Sequence, residues 1–258
     1  MFEDARQNAG LPVIRLQPLF ALHIPDGFLS LPVALATGII ALGLIVVSLK
    51  QTERTYADRL VPLMGVSAAF IFAAQMVNFP VLGGTSGHLL GGTLAGILLG
   101  PWAGALAVSV VFIVQALLFQ DGGVTALGTN IFNMGLIGTF LGYYLYRGVR
   151  TLLGHNRWFA MATATAIASW FSVVAAAAAT SVELAWSDIV PLGTVLPAML
   201  AVHALIGLGE AVLTVAVVSF LWQTRPDLLF DPPAPPPTQA SADDPQTVVI
   251  KEASHGRQ

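Results

Sequence analysis

Across residues 60–146 the chain carries one charged residue, Asp121. Residues 158–222 carry only Glu183, Asp188 and Glu210, and residues 28–49 carry none. Stretches this apolar are suited to lipid, where every backbone N–H and C=O must find a partner within the protein. That restricts the fold to helices or a closed barrel. The runs lack the alternation of a half-buried strand and are rich in Ala, Leu and Gly, so they read as helices. At about 1.5 Å per residue, 28–49 extends roughly 33 Å, enough to cross the hydrocarbon core. The expected fold class is therefore all-α, a polytopic transmembrane helix bundle of about seven spans. These fall near 28–49, 60–79, 88–99, 102–119, 129–147, 158–181 and 194–222. Gly100-Pro101 separates the third from the fourth, since a proline marks a helix boundary.

The sparse charges set an orientation. Lys50, Arg54 and Arg59 follow the first span, Arg147, Arg150 and Arg157 the fifth, and Arg225 the seventh. The loops near 80–87, 120–128 and 182–193 have no Lys or Arg. The positive-inside rule then puts the basic segments in the cytoplasm, the N-terminus outside and the C-terminus inside. The chain divides into a leader or extension (1–21), a transmembrane domain (22–225) and a Pro-rich, disordered cytoplasmic tail (226–258). Only 10% of residues are charged, and the eleven Lys+Arg are too few to track phosphates, which excludes nucleic-acid binding. With no cysteine, disulfides, thiolate metal sites and cysteine nucleophiles are excluded.

Against this background each polar side chain asks for a role. His23 precedes Ile24-Pro25-Asp26-Gly27 at the outer mouth of the first span, and His88 follows Gly83-Gly84-Thr85-Ser86-Gly87 on the same side. Each alone reads as a loop histidine; together they suggest a metal site. Gln75 and Asn78 share a helix face and read either as interhelical hydrogen bonding or as support for His88. Asn130 and Asn133 repeat that spacing and read as interhelical bonding. His203 and Glu210 lie on one stripe of the last span, as a transport path or as a packing contact. The pair Ala34 and Gly38 reads as close helix packing within the bundle.

Taken together these motifs resemble the CbiM/NikM type of substrate-binding membrane component of energy-coupling-factor transporters for cobalt or nickel. The resemblance spans about residues 22–222. It rests on His23-Ile24-Pro25-Asp26-Gly27-Phe28, Gln75-Met76-Val77-Asn78-Phe79-Pro80 and Gly84-Thr85-Ser86-Gly87-His88. It rests further on Asp121-Gly122-Gly123, on 130–135 with Asn130 and Asn133, and on 203–211 with His203 and Glu210. The resemblance implies a multi-pass component in the cell inner (plasma) membrane that captures Co(II) or Ni(II) from outside and is not itself an enzyme. It implies no catalytic cofactor. Its implied partners are a transmembrane coupling subunit, two ATP-hydrolysing subunits and a small accessory membrane protein. Cobalamin biosynthesis or nickel enzymes would use the ion. The implied metal ligands are the terminal amine of Leu22, the amide nitrogen and imidazole of His23, and His88. Gln75, Asn78, Ser86, His203 and Glu210 would support that site or line the transport path. Amine, deprotonated amide and imidazole form fused chelate rings in one plane, and a fourth nitrogen completes a tetragonal set suited to Ni(II) or Cu(II).

The family motif begins Met-His, directly or after a removed leader. Here Leu22 holds the Met position, with residues 1–21 ahead of it. A free amine at Leu22 requires a cut after Ala21, or a start at Leu22 from a non-standard codon. Two other functions compete. A standalone divalent-metal channel or facilitator would share the same spans. An intramembrane hydrolase could be assembled on Ser86 with His88, or on His203 with Glu210. The sequence lacks His-Glu-x-x-His and shows no third orienting group for a triad. No phosphate-binding Gly-x-x-x-x-Gly-Lys-Ser/Thr loop occurs, so ATP hydrolysis would sit on another chain.

Overall fold

A computed structural model describes residues 22–55, 61–76, 79–81 and 85–233. The helices are α1 (Leu31–Thr55), α2 (Val61–Gln75), α3 (Gly92–Val114), α4 (Leu127–Asn130), α5 (Gly138–Leu153), α6 (Trp158–Trp186) and α7 (Leu192–Thr224). A π segment, Gln115–Phe119, extends α3, and a second, Ile131–Ile137, joins α4 to α5 as one helical rod. Between α2 and α3, strands β1 (Phe79–Val81) and β2 (Thr85–Gly87) pair antiparallel, with Pro80 opposite Ser86. The result is a bundle of helices around two apolar cores.

Among the described residues four helices are long and apolar enough to cross a membrane: Leu31–Arg54, Gly92–Phe119, Trp158–Trp186 and Leu192–Thr224. The expected break at Gly100-Pro101 is present inside α3. Gly100 sits at φ 75°, ψ 170°, and the chain folds back so closely that a Cβ on Gly104 would lie 2.8 Å from the Ala95 backbone. Nine residues of straight helix would separate those positions by about 13.5 Å. Two expected boundaries move. The piece before the break starts at Gly92 rather than 88, because 88–91 is irregular and ends on Gly91 at φ 74°, ψ −2°. The helix expected over 60–79 stops at Gln75, and Phe79, held extended by the following proline, is already in a strand. The rod 127–153 takes the place of the span expected at 129–147.

Small residues set the closest approaches. Gly128 meets Gly38 so tightly that a Cβ would lie 2.6 Å from the Gly38 Cα, and Thr37 and Thr129 share a 2.6 Å hydrogen bond beside it. Of the expected close-packing pair Ala34 and Gly38, Gly38 makes its contact within the bundle. At the opposite end of the bundle, Pro226–Leu228 forms a 3₁₀ turn and the chain returns beneath the helices. There the Phe230 N–H donates to Ile97 O (3.0 Å), and the Phe230 ring occupies the space where a Cβ on Gly100 would be. The Tyr143 hydroxyl donates to Asp231 Oδ2 (2.7 Å), and Arg150 Nη1 donates to Asp231 O (2.6 Å) and Tyr146 Oη (2.9 Å). Buried Arg150 also lies over the Trp222 ring, 4.9 Å from its centroid. Of the expected tail, 226–233 is described; the remainder lies outside the described residues.

Candidate functional site

The site is built on a strap, residues 22–26, that belongs to no helix or strand. Leu22, His23 and Ile24 are buried, yet a backbone outside helix and sheet does not satisfy itself. Its partners come from the 121–130 segment. Asn130 grips both backbone polar groups of Ile24: its Oδ1 accepts the Ile24 N–H (2.9 Å) and its Nδ2 donates to Ile24 O (3.1 Å). The Gly123 N–H donates to the same carbonyl (2.9 Å). Asp26 Oδ1 accepts the Thr125 hydroxyl (2.6 Å) and N–H (2.7 Å), and these bonds hold its carboxyl below the usual range. Gly123 has no alternative residue, since a Cβ would collide with the Asp26 nitrogen.

The strap aims His23 at His88, with the ring centroids 4.8 Å apart and the planes inclined by 63°. Phe112 closes the other side at 5.5 Å. His23 Nδ1 lies 3.7 Å from Asp121 Oδ1, and its Nε2 is buried without a hydrogen-bond partner. Burial, and then the neighbouring His88, push the His23 pKa well below its ordinary value, so the ring is neutral, as a metal ligand must be. His88 Nδ1 is 2.8 Å from Leu89 O. A carbonyl only accepts, so Nδ1 carries the proton and Nε2 is left as a bare donor atom.

His88 is held through the backbone that follows it. The Leu90 and Gly91 N–H groups donate to the two oxygens of Glu210, each at 2.8 Å. Gln75 Nε2 donates to Leu90 O (2.6 Å), and Gln115 Nε2 in turn donates to Gln75 Oε1 (2.8 Å). Gly91 has φ 74°, and a Cβ there would lie 2.6 Å from Ile71. Gln75 thus bonds both between helices, to Gln115, and to the backbone that follows His88. Both Glu210 oxygens are engaged by the N-terminus of α3, a favoured place for a carboxylate. His203 is buried, donates Nδ1–H to Met199 O (2.8 Å) and lies within electrostatic reach of His88. Ser86 enters through its backbone pairing with Pro80; Asn78 lies outside the described residues.

Among the described residues no group of three or more His, Asp or Glu side chains is placed to hold a metal ion. His23 and His88 are two imidazoles, and a fuller donor set would have to draw on backbone nitrogen. Beside them opens a cavity of about 510 Å³ lined by His23, Asp26, Asp121 and the 120–124 backbone. The sequence reading missed Asn130, which it assigned with Asn133 to interhelical bonding. Asn133 does make such bonds, donating Nδ2 to Thr180 Oγ1 (3.1 Å) and to buried Glu183. The π segment that begins at Ile131 breaks the helical register between the two asparagines, so they serve different neighbours.

The family described as "CbiM: Cobalt uptake substrate-specific transmembrane region" matches residues 23–228. The chain belongs to the CbiM family. Among CbiM relatives, a putative fused nickel transport protein NikMN of Archaeoglobus fulgidus is 44% identical over 216 residues, 83% of this chain and 70% of the relative. The cobalt transport protein CbiM of Sorangium cellulosum is 32% identical over 214 residues, 81% of this chain and 94% of the relative. A crystal structure of a truncated transition metal transporter superposes with a TM-score of 0.71 at 34% identity, covering 78% of this chain and 98% of that one. This CbiM-family chain is a multi-pass membrane protein.

Proposed function

We propose that this chain is the substrate-capture component of a cobalt or nickel importer of the energy-coupling-factor type. One observation carries the reading: His23 and His88, 65 positions apart in sequence, meet with ring centroids 4.8 Å apart at one end of an apolar bundle. The ion is Co(II) or Ni(II), held by the Leu22 amine, the His23 amide nitrogen and Nδ1, and His88 Nε2. The bundle spans the plasma membrane about seven times, with the N-terminus and the histidine end outside and the C-terminus inside. A coupling subunit and two ATP-hydrolysing subunits drive release inward. The ion feeds cobalamin synthesis or a nickel enzyme. Glu210, whose two oxygens both accept backbone N–H groups, acts here as a fixed support for His88 rather than as a catalytic base.

The amine ligand exists only when the chain begins at Leu22, and that gives the test. Protein beginning at Leu22 should bind one Ni(II) per chain. The same protein with residues 1–21 retained should bind far more weakly. Inserting one residue between Leu22 and His23 should damage binding although every side chain remains, because a chelate ring is enlarged. Mass spectrometry of the N-terminus with metal analysis of the same sample reads both quantities. Equal affinity in demonstrably uncleaved protein would remove the amine from the ligand set.

A further inference from the structure

Asp121 is the one charged residue in 60–146, and among the described residues no Lys or Arg forms an ion pair with it. It is 41% exposed and lies on the wall of the 510 Å³ cavity that also exposes an edge of otherwise buried His23. Its position is fixed by backbone that few residues adopt: Gln120 at φ 56° and Gly122 at φ 89° turn the loop on either side. At Gly122 a Cβ would press on His23 Nδ1 at 3.2 Å and Asn130 Nδ2 at 3.0 Å, so the loop can approach the ring this closely only through glycine.

The distance between the two donor atoms is informative. Imidazole nitrogen and carboxylate oxygen each bind a small divalent transition ion at about 2.0–2.2 Å. Two such donors on one ion are therefore about 3.0 Å apart when adjacent and about 4.2 Å apart when opposite. The observed 3.7 Å between Asp121 Oδ1 and His23 Nδ1 falls between those limits. Six waters occupy roughly 180 Å³ at about 30 Å³ each, so the cavity has room for a hydrated ion.

We propose that Asp121 is the first protein ligand the ion meets: a hydrated divalent transition-metal ion docks in the cavity, held jointly by the Asp121 carboxylate and His23 Nδ1. This rests on the metal-capture reading above and adds the step that precedes it. Each protein donor replaces one water, and no electron is transferred. Nδ1 is also the imidazole nitrogen that closes a six-membered chelate ring with the His23 amide, so the ion need not leave it. The amine and His88 Nε2 then displace water, the His23 amide releases its proton to solvent as its nitrogen binds, and Asp121 falls outside the final plane. A carboxylate here suits the task because it is exposed enough to compete for a hydrated cation and stands beside a ring that is buried.

The test uses the chain beginning at Leu22, in detergent or nanodiscs, mixed rapidly with nickel chloride while the Ni(II) ligand-field absorbance is followed. Asp121→Asn should slow association about tenfold or more, the range that electrostatic focusing supplies. The final spectrum should be unchanged, because the nitrogen donors are the same. The unmodified chain should slow steeply with added salt, and Asp121→Asn should not. Asp121→Glu should recover most of the rate. An unchanged association rate in Asp121→Asn overturns the proposal. So does an altered final spectrum or lost binding in a folded variant, which would make Asp121 a permanent ligand. If the unmodified chain gives no nickel spectrum, or His23→Ala keeps it, the capture reading itself has failed instead.

Discussion

At one end of the bundle residues 22–26 lie across the 121–130 segment; at the other, residues 229–231 lie across the kink at Gly100. Both straps are backbone outside any helix or strand, laid over helix ends, and both borrow hydrogen bonds they cannot make internally. Their partners differ in kind. The C-terminal strap is anchored by a wedged phenyl ring, a tyrosine hydroxyl and a guanidinium on a carbonyl. It carries no histidine, and its bonds hold Asp231. The N-terminal strap is anchored by amide, hydroxyl and backbone groups that hold Ile24 and Asp26. His23, between them, is left with a ring nitrogen lacking a partner. One strap uses its polar groups for closure; the other also presents the His23 ring to His88.

If that contrast is right, damage at the histidine end should appear as lost metal binding, and equal damage at the other end as lost stability alone. The largest effect is expected from Glu210→Ala. It strips the acceptor from two buried N–H groups, Leu90 and Gly91, which costs about 2–5 kcal/mol. Because those groups carry His88, folded Glu210→Ala should show both a lower thermal unfolding temperature and a loss of nickel affinity. Retained affinity at reduced stability would mean that His88 is placed by something other than the 90–91 backbone.

Asn130→Ala comes next. It leaves the Ile24 N–H buried without its acceptor, at a cost of about 1–3 kcal/mol, or roughly 5- to 150-fold in an equilibrium constant. The strap should loosen from 121–130, so a nickel titration should show weaker binding with the same number of sites. Asn130→Asp offers the same acceptor but no donor to Ile24 O, and should fall between the two. Undiminished affinity in Asn130→Ala would show that Gly123 and Thr125 hold the strap without it.

How far these roles could be read from sequence follows from what each residue bonds to. His23 and His88 are legible because a histidine in so apolar a chain demands a reason, and the break at Gly100-Pro101 because proline and glycine act locally. Gln75 and Glu210 were visible as polar residues, but their partners are backbone groups of Leu90 and Gly91, fifteen and about 120 positions away, which no side-chain pattern encodes. Asn130 was misread because its i,i+3 spacing with Asn133 assumes an unbroken helix, and a π segment begins at Ile131, directly after it. The β1–β2 ladder left no alternation to detect, each strand being three residues long.

The smallest effect is the one that tests the other half of the comparison. Tyr143→Phe removes a single hydroxyl, donated to Asp231 Oδ2 at 2.7 Å, in a region where Arg150 still holds the Asp231 carbonyl and Phe230 still caps Gly100. Losing one hydrogen bond costs about 0.5–1.5 kcal/mol. The remaining anchors should keep the strap in place, so the unfolding temperature should fall slightly. Nickel affinity and association rate should match the unmodified chain, since no bond to the Tyr143 hydroxyl reaches the histidine end. Gly100→Ala is the harsher version: it places a Cβ where the Phe230 ring lies and forces a non-glycine residue to φ 75°. It should lower stability further and still leave nickel affinity intact. A drop in nickel affinity from either variant would show that the two ends are coupled through α3, whose kink holds the C-terminal strap and whose N-terminus is held by Glu210. Closure at one end would then set the ligand geometry at the other.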